Sequence, residues 1–245
     1  MKTALITGAA GGIGRATVKK FIDEGYFVVG QYNNNLSGIN DLKEELNLLG
    51  KGDFFYAVKA DFSSSDEINK MMDTVEKSFK RFDVLVNNAG VGLYKLITET
   101  TEKEWEDIFS VNVKSAYMIT NRVLDGMIKY KKGKIVNVSS MWGQVGASME
   151  VAYSASKAAL IGYTKALAKE VALSKINVNC VCPGVIDTPI NARFNKSDIE
   201  ELKEQTPLGR IGAPEEVAEL IYFLSCEKSD FITGQIITCD GGFSI

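Results

Sequence analysis

The chain contains no histidine, which removes Ser-His-Asp and Cys-His catalysis and every histidine-containing metal site before any motif is considered. Cysteine is scarce. The four present, Cys180, Cys182, Cys226 and Cys239, form no CxxC pair, so neither a zinc knuckle nor a secreted disulfide framework is indicated. No metal site is expected, and the expected compartment is a reducing cytoplasm. Long apolar runs are missing too: residues 3–7 are apolar but too short for a signal or membrane-spanning segment, and a glycine-rich loop follows at once. Charge of one sign is not in excess. With 28 basic and 31 acidic residues the net charge is −3, which gives no global attraction to nucleic acid or to an anionic membrane. What remains is a chain of 245 residues, 45% apolar and 24% charged, an ordinary soluble composition with a sizeable core, read as one domain over residues 1–245.

Short β-branched runs alternate with helical patterns along the chain. Strands are predicted at 4–7, 27–30, 54–58, 84–87, 134–138, 176–181 and 235–239, and helices at about 13–24, 38–49, 65–79, 102–130, 152–173 and 215–225. Helix signals agree: Thr101 and Glu104 have capping-box spacing, and Pro214 stands where a first helical residue would, followed by Glu215 and Glu216. Alternating βα units suit a doubly wound sheet or an eight-stranded barrel. Seven strands, with a glycine-rich loop after the first, favour a Rossmann-type doubly wound parallel seven-stranded sheet with helices on both faces.

Two stretches carry chemistry. Residues 7–14, TGAAGGIG, read as a pyrophosphate cradle: Gly8 permits the tight turn, Gly12 lets backbone approach phosphate, and Gly14 lets the helix pack closely on the strand. The spacing is GxxxGxG rather than GxGxxG. The second stretch runs from Ser140 to Lys157. Tyr153 and Lys157 are four apart in an Ala-rich helical segment, so a phenol and an ammonium rise from one face and the cation favours the phenolate, while Ser140 is placed to hydrogen-bond a reacting oxygen. Taken alone, Tyr-x-x-x-Lys also fits a solvated helix face.

TGAAGGIG at 7–14, NNAG at 87–90, Asn112, Ser140, YSASK at 153–157 and Pro183-Gly184 occur in one order along nearly the whole chain, as far as ITGQIITCDGG at 232–242. In this the sequence resembles the short-chain dehydrogenase/reductase family. The resemblance implies a nicotinamide cofactor and a tetrad of Asn112, Ser140, Tyr153 and Lys157. In it Tyr153 protonates a carbonyl oxygen, Lys157 lowers the pKa of Tyr153 and holds the nicotinamide ribose, Ser140 orients substrate and Asn112 holds a proton-relay water. Cofactor contacts are expected from Gly8, Gly12, Ile13, Gly14, Tyr32, Asn33, Asp61, Asn88, Ala89, Gly90, Tyr153, Lys157, Pro183, Gly184 and Thr188. Read as bare residues, Asn112 also suits a helix bend, residues 87–90 the end of a strand, and Asp61 a helix cap.

An NAD enzyme normally places a carboxylate after the second strand, whereas this chain has Gln31-Tyr32-Asn33-Asn34-Asn35, so NADP(H) is expected over NAD(H), with Arg15 the nearest candidate cation. Ligands of such sheets bind beyond the strands' carboxyl ends, which puts the substrate mouth at 91–97, 141–152 and 185–210. Val91, Leu93, Tyr94, Trp142, Val145, Met149, Ile186 and Phe194 are candidates for an apolar slot. A lid is expected at about 188–213, with Arg193, Lys203 and Arg210 around a polar helix.

Over the whole chain the resemblance is to 3-oxoacyl-acyl carrier protein reductases, which act on a β-keto thioester. Lys129, Lys131, Lys132 and Lys134 form a basic run suited to docking the acidic acyl carrier protein, or simply a solvated helix end, while Ser174 stands at the family's second basic position. Locally, SSMWGQVGASMEVAYS and QYNNN resemble the reductases of the 5-aminopentanone modification on elongation factor P. Glu150, three residues before Tyr153, suits attraction of a protonated amine, or faces water. A non-catalytic dinucleotide-binding regulator is the distant alternative, and a homotetramer is the family expectation.

Overall fold

The computed structural model describes residues 1–189 and 195–245. Seven strands, β1 (Thr3–Ile6), β2 (Phe27–Tyr32), β3 (Phe55–Lys59), β4 (Val84–Asn87), β5 (Gly133–Val138), β6 (Ile176–Pro183) and β7 (Ile236–Cys239), form one sheet in the order β3-β2-β1-β4-β5-β6-β7. Every pairing is parallel. Each predicted strand is present within a residue or two of its expected bounds. The described helices are α1 (Gly12–Asp23), α2 (Leu36–Leu48), α3 (Ser65–Ser78), α4 (Glu102–Phe109), α5 (Ser115–Tyr130), α6 (Trp142–Val145), α7 (Val151–Val171), α8 (Lys196–Gln205) and α9 (Pro214–Ser225).

A parallel sheet is buried on both faces, which is why its strands are nearly continuous apolar runs. Successive residues then serve opposite cores. Ile6, Val28, Val86 and Val136 pack with Val18 and Phe21 of α1, Leu42 of α2 and Ile221 of α9. Leu5, Val29, Leu85 and Ile135 pack on the other side with Met72 of α3, Ile119 of α5 and Leu167 of α7. After β3 the chain returns past β2 and β1 to form β4, so the winding reverses between β1 and β4. Ligands of this architecture bind there, outside the carboxyl ends of the strands.

The single helix expected over 102–130 is instead α4, a π-turn at Ser110–Lys114, and α5. A π-turn keeps helical backbone angles, so local helix propensity does not distinguish it from the α-helices on either side. Its entry is as expected: Thr101 Oγ1 accepts from the Glu104 amide at 3.2 Å and Glu104 Oε2 accepts from the Thr101 amide at 2.8 Å. Those bonds, with Lys95 at 3.0 Å, hold the Glu104 carboxyl down at about 2. Pro214 opens α9 as expected.

At the end of α5, Lys131 adopts φ 48° and ψ 45°, the left-handed conformation that a side chain disfavours and glycine tolerates. Lys131→Gly is expected to stabilise the protein by about 0.5–1 kcal/mol, part of the relieved strain being lost to the greater freedom of glycine when unfolded. Urea unfolding of the two proteins side by side measures it.

The segment from Val185 to Ala213 leaves the sheet as an excursion closed at its base. Ile186 bridges Gly212, and the Gly212 amide donates to Val185 O at 2.9 Å. Within it α8 is polar and buries no residue fully. Arg193 and Phe194 lie outside the described residues. Both terminal nitrogens of Arg210 meet Glu216 at 2.7 Å.

Candidate active site

The cradle follows β1 directly. Gly8 has φ +70°, and a Cβ on Gly14 would lie 2.0 Å from Gly8 O, so α1 can approach the turn only with glycine there. A Cβ on Gly12 would lie 2.5 Å from Thr188. No side chain caps α1, and its first turn carries no acid, so its leading amides are left for an anion. The turn is braced from both sides. Thr7 Oγ1 accepts from the Asn88 and Ala89 amides, each at 2.9 Å, while Asn88 Nδ2 donates to Thr7 O at 2.8 Å. Gln31 Oε1 accepts from the Gly8 amide at 2.9 Å and its Nε2 donates to Ala60 O at 2.8 Å. These features fit the pyrophosphate of a dinucleotide. Gly14→Ala is therefore expected to weaken dinucleotide binding by about five- to a hundredfold by pushing α1 off the turn, since overpacking by one methyl costs roughly 1–3 kcal/mol. Titration of the reduced dinucleotide's fluorescence reads the loss directly.

A cleft of 460 Å³ runs from this cradle to the end of β5 and the start of α7. Every candidate catalytic and cofactor residue lines it except Asn112. Ser140, just beyond β5, is 7% exposed; its Oγ accepts from the Trp142 amide at 3.1 Å, which leaves the hydroxyl hydrogen to donate elsewhere. Lys157 is 3% exposed, with Nζ donating to Val138 O at 2.9 Å and lying 5.7 Å from the centre of the Tyr153 ring. Burial pulls its pKa down to about 8. Tight contacts keep it there. A Cβ on Gly90 would come within 3.0 Å of Lys157 Nζ, and one on Gly143 within 2.8 Å of the Lys157 carbonyl carbon.

Asn112 is clasped by protein groups. Sitting in the π-turn and 1% exposed, it spends its side chain on protein: Oδ1 accepts from the Val91 amide at 2.8 Å, and Nδ2 donates to Val91 O at 3.0 Å and to Ser156 Oγ at 2.9 Å. Both amide hydrogens are used, so the side chain has none to give a relay water.

At the end of the cleft beside β2, where the adenosine is expected, Tyr32, Asn33, Asn34, Asn35 and Asp61 form the lining. Asn35 is committed, since its Oδ1 caps α2 through the Gly38 amide at 2.9 Å and its Nδ2 donates to Ala10 O at 3.2 Å. Asp61 accepts from the Ser63 amide and hydroxyl, each at 2.9 Å, while Ser64 caps α3. Arg15 does not line the cleft, although its Nη1 lies 3.4 Å from Gly38 O of α2. Glu45 holds its guanidinium at 2.8 Å, and Lys19 shares the same carboxylate.

At the mouth, Val91, Trp142 and Ile186 line the cleft as expected, joined by Gly92, Met141, Pro189 and Leu202. Leu93, Tyr94, Val145 and Met149 do not line it; Tyr94 and Val145 are half exposed. Met149 takes φ 61°, and its carbonyl accepts from the Lys95 amide at 2.6 Å. That turn carries Glu150 inward, 6% exposed, into the lining beside Tyr153. Glu150 therefore does not face water. The basic run lies elsewhere: β5 begins at Gly133, so Lys129 to Lys134 sit at or before its N-terminal end, with Lys134 roughly 20 Å from Ser140 at about 3.3 Å per residue. Lys134 meets Asp230 at 2.7 Å and Lys132 meets Glu227 at 3.3 Å. It does not border its own chain's cleft.

Three residues escaped the sequence reading as parts of the site. Gln31 and Ser139, whose Oγ donates to Lys157 O at 2.7 Å, brace the cradle and the lysine, and Ser156 bonds Asn112. The repeated serines of SS and YSASK were the available signal for the last two.

Residues 8–244 match the family model described as enoyl-(acyl carrier protein) reductase. The 3-oxoacyl-[acyl-carrier-protein] reductase FabG of Thermotoga maritima is 42% identical over 246 residues, spanning 100% of this chain and 98% of that one. The uncharacterised oxidoreductase YmfI of Bacillus subtilis is 39% identical over 242 residues, spanning 99% and 98%. Among solved structures, the 3-oxoacyl-[acyl-carrier protein] reductase of Brucella melitensis superposes with a TM-score of 0.92 at 33% identity, covering 100% of this chain and 91% of that one. Full-length likeness to these reductases joins the glycine cradle, the buried Ser140 and Lys157, and the half-buried Tyr153. The chain belongs to the short-chain dehydrogenase/reductase family and is an oxidoreductase that acts between carbonyl and alcohol with a nicotinamide dinucleotide.

Proposed function

We propose that the protein is an NADP(H)-dependent cytoplasmic reductase that converts a 3-oxoacyl thioester, carried on acyl carrier protein, to the 3-hydroxyacyl thioester. The observation that carries the reading is the shared lining of one cleft by Ser140, Tyr153, Lys157 and the glycine cradle, with an apolar mouth of Val91, Trp142, Ile186 and Leu202 for the acyl chain. When bound, the dinucleotide supplies a hydride. Ser140 donates a hydrogen bond to the ketone oxygen and fixes its place; Tyr153 gives that oxygen its proton; Lys157, charged and desolvated, favours the phenolate that Tyr153 leaves behind and holds the ribose. The excursion carrying α8 covers the mouth as a lid. NADP(H) is favoured because no carboxylate follows β2 to repel a 2′-phosphate, with Tyr32, Asn33 and Asn34 as neutral partners. Half-exposed Tyr117 and Val151, on α5 and α7, support a homotetramer with those helices at one interface, which light scattering checks.

A second reading rests on Glu150. A buried carboxylate in the lining suits a substrate with an ammonium near its ketone, such as the 5-aminopentanone group on elongation factor P. One experiment separates them: consumption of NADPH, and separately NADH, is followed with acetoacetyl-acyl carrier protein, the crotonyl thioester and aminoketone-bearing elongation factor P. The first reading expects fast turnover of acetoacetyl-acyl carrier protein with NADPH. Turnover of the modified elongation factor alone assigns the enzyme to that modification, and turnover of the crotonyl thioester alone removes both.

A further inference from the structure

Ser156 lies between Tyr153 and Lys157 on α7 yet touches neither the cleft nor solvent, being 0% exposed. Its hydroxyl donates to Tyr153 O at 2.7 Å and accepts from Asn112 Nδ2 at 2.9 Å. The α-helix does not need the first bond, because a backbone carbonyl at that position is served by the amide four residues on. Asn112 continues the chain by clasping Val91 through both its backbone groups, at 2.8 and 3.0 Å. Val91 and Tyr153 both line the cleft; the two residues that join them do not. Three separately wound pieces, the loop after β4, the π-turn and α7, thus meet in one set of buried hydrogen bonds.

We propose that Ser156 is a positioning residue: through Asn112 it fixes the Val91 wall of the substrate mouth against Tyr153, so that a ketone seated on Val91 meets the Tyr153 hydroxyl in register. The logic is one of satisfied valence. With Ser156 present, both amide hydrogens and the oxygen of Asn112 have partners, and a buried amide so satisfied has one orientation. Without the hydroxyl, one Asn112 N–H is left buried without its acceptor, and the amide turns to find another at the expense of its hold on Val91. A displacement of about 1 Å between substrate and proton donor costs up to about a hundredfold in rate.

The test uses Ser156→Ala and Ser156→Cys. The cysteine nearly keeps the volume but hydrogen-bonds weakly, so it decides the matter if the alanine protein does not fold. The readings are kcat per dinucleotide-binding site with acetoacetyl-acyl carrier protein, the dissociation constant of NADPH, and hydrogen exchange of the Asn112 side-chain amide by NMR. The expected result is a fall in kcat of about tenfold or more with NADPH affinity within about threefold of wild type, and faster exchange of the Asn112 amide. A folded variant with wild-type kcat, a parallel loss of kcat and NADPH affinity, or unchanged Asn112 exchange overturns the assignment. The inference rests on the reductase reading only for the choice of substrate. An idle wild-type enzyme would sink that reading, while Asn112 exchange would still decide this one.

Discussion

Tyr153→Phe is expected to lower kcat for ketone reduction by about 10²–10⁴-fold, the range that a positioned acid or base contributes, while leaving NADPH affinity within about threefold. The reasoning is local. Phe keeps the ring that packs in the lining of the cleft and removes only the hydroxyl, and no other described phenol lines the reacting end, since Tyr32 is at the adenosine end. Ser140 keeps its place beside the oxygen, but an alcohol of ordinary acidity beside a buried ammonium is a far weaker proton source than a phenol. Stopped-flow traces under single turnover, with NADPH binding measured separately, distinguish a lost proton donor from a lost cofactor. A variant that still turns over at a tenth of the wild-type rate would remove Tyr153 from the proton-donor role. A variant silent in the cuvette yet fully active in the cell would revive the non-catalytic regulator.

Lys157→Met is expected to abolish turnover and yet make the cofactor-free protein more stable at neutral pH, by about 1–2 kcal/mol. Burial lowers the folded-state pKa of Lys157 to about 8 from an ordinary 10.5. Between those values the unfolded chain binds more protons than the folded one, so wild-type stability rises with pH across the window of about 8 to 10.5. Below about 8 the lysine is charged in both states and the full cost of burying it applies, at most about 3 kcal/mol for a shift of this size. Methionine removes that cost but strands Val138 O, the acceptor of the Nζ bond at 2.9 Å, which takes back about 1 kcal/mol. The advantage of Lys157→Met should therefore be largest below pH 8 and shrink as the pH climbs towards 10.5. Urea unfolding at several pH values measures this. A variant less stable than wild type throughout would mean that the ammonium is well solvated in the fold, and the account of Lys157 as a desolvated cation would be wrong. The stability that wild type forgoes sits at the lysine proposed as catalytic, where a function-related strain belongs.

What the sequence made legible was local in origin. β-branched runs separated by amphipathic helices announce a parallel sheet, because the periods of 2 and 3.6 are written into neighbouring residues. The Gly8, Gly12 and Gly14 spacing announces a tight approach of helix to turn, and the four-residue step from Tyr153 to Lys157 a shared helix face. What stayed hidden depended on partners distant in the chain. Arg15 looks available from its own neighbourhood and is taken by Glu45 across α2. The π-turn is not set apart by the helix propensity of its residues, and within it Asn112 reaches Val91 and Ser156. Glu150 turns inward because Met149 accepts a left-handed conformation held by the Lys95 amide, which no propensity of these residues suggests. The basic run at 129–134 is contiguous in sequence, but the direction of β5 carries it to the far end of the sheet from the site.

The central claim is that hydride arrives at a ketone carbon while Tyr153 protonates its oxygen. It is tested most directly by reducing acetoacetyl-acyl carrier protein with NADPH deuterated at the transferring carbon and locating the label by mass spectrometry. The account predicts one deuterium on the carbinol carbon of the 3-hydroxybutyryl product in wild type, and no labelled product from Tyr153→Phe over the same turnover time. Unlabelled product, label on a carbon of a saturated acyl chain, or equal labelling by the two proteins would contradict it.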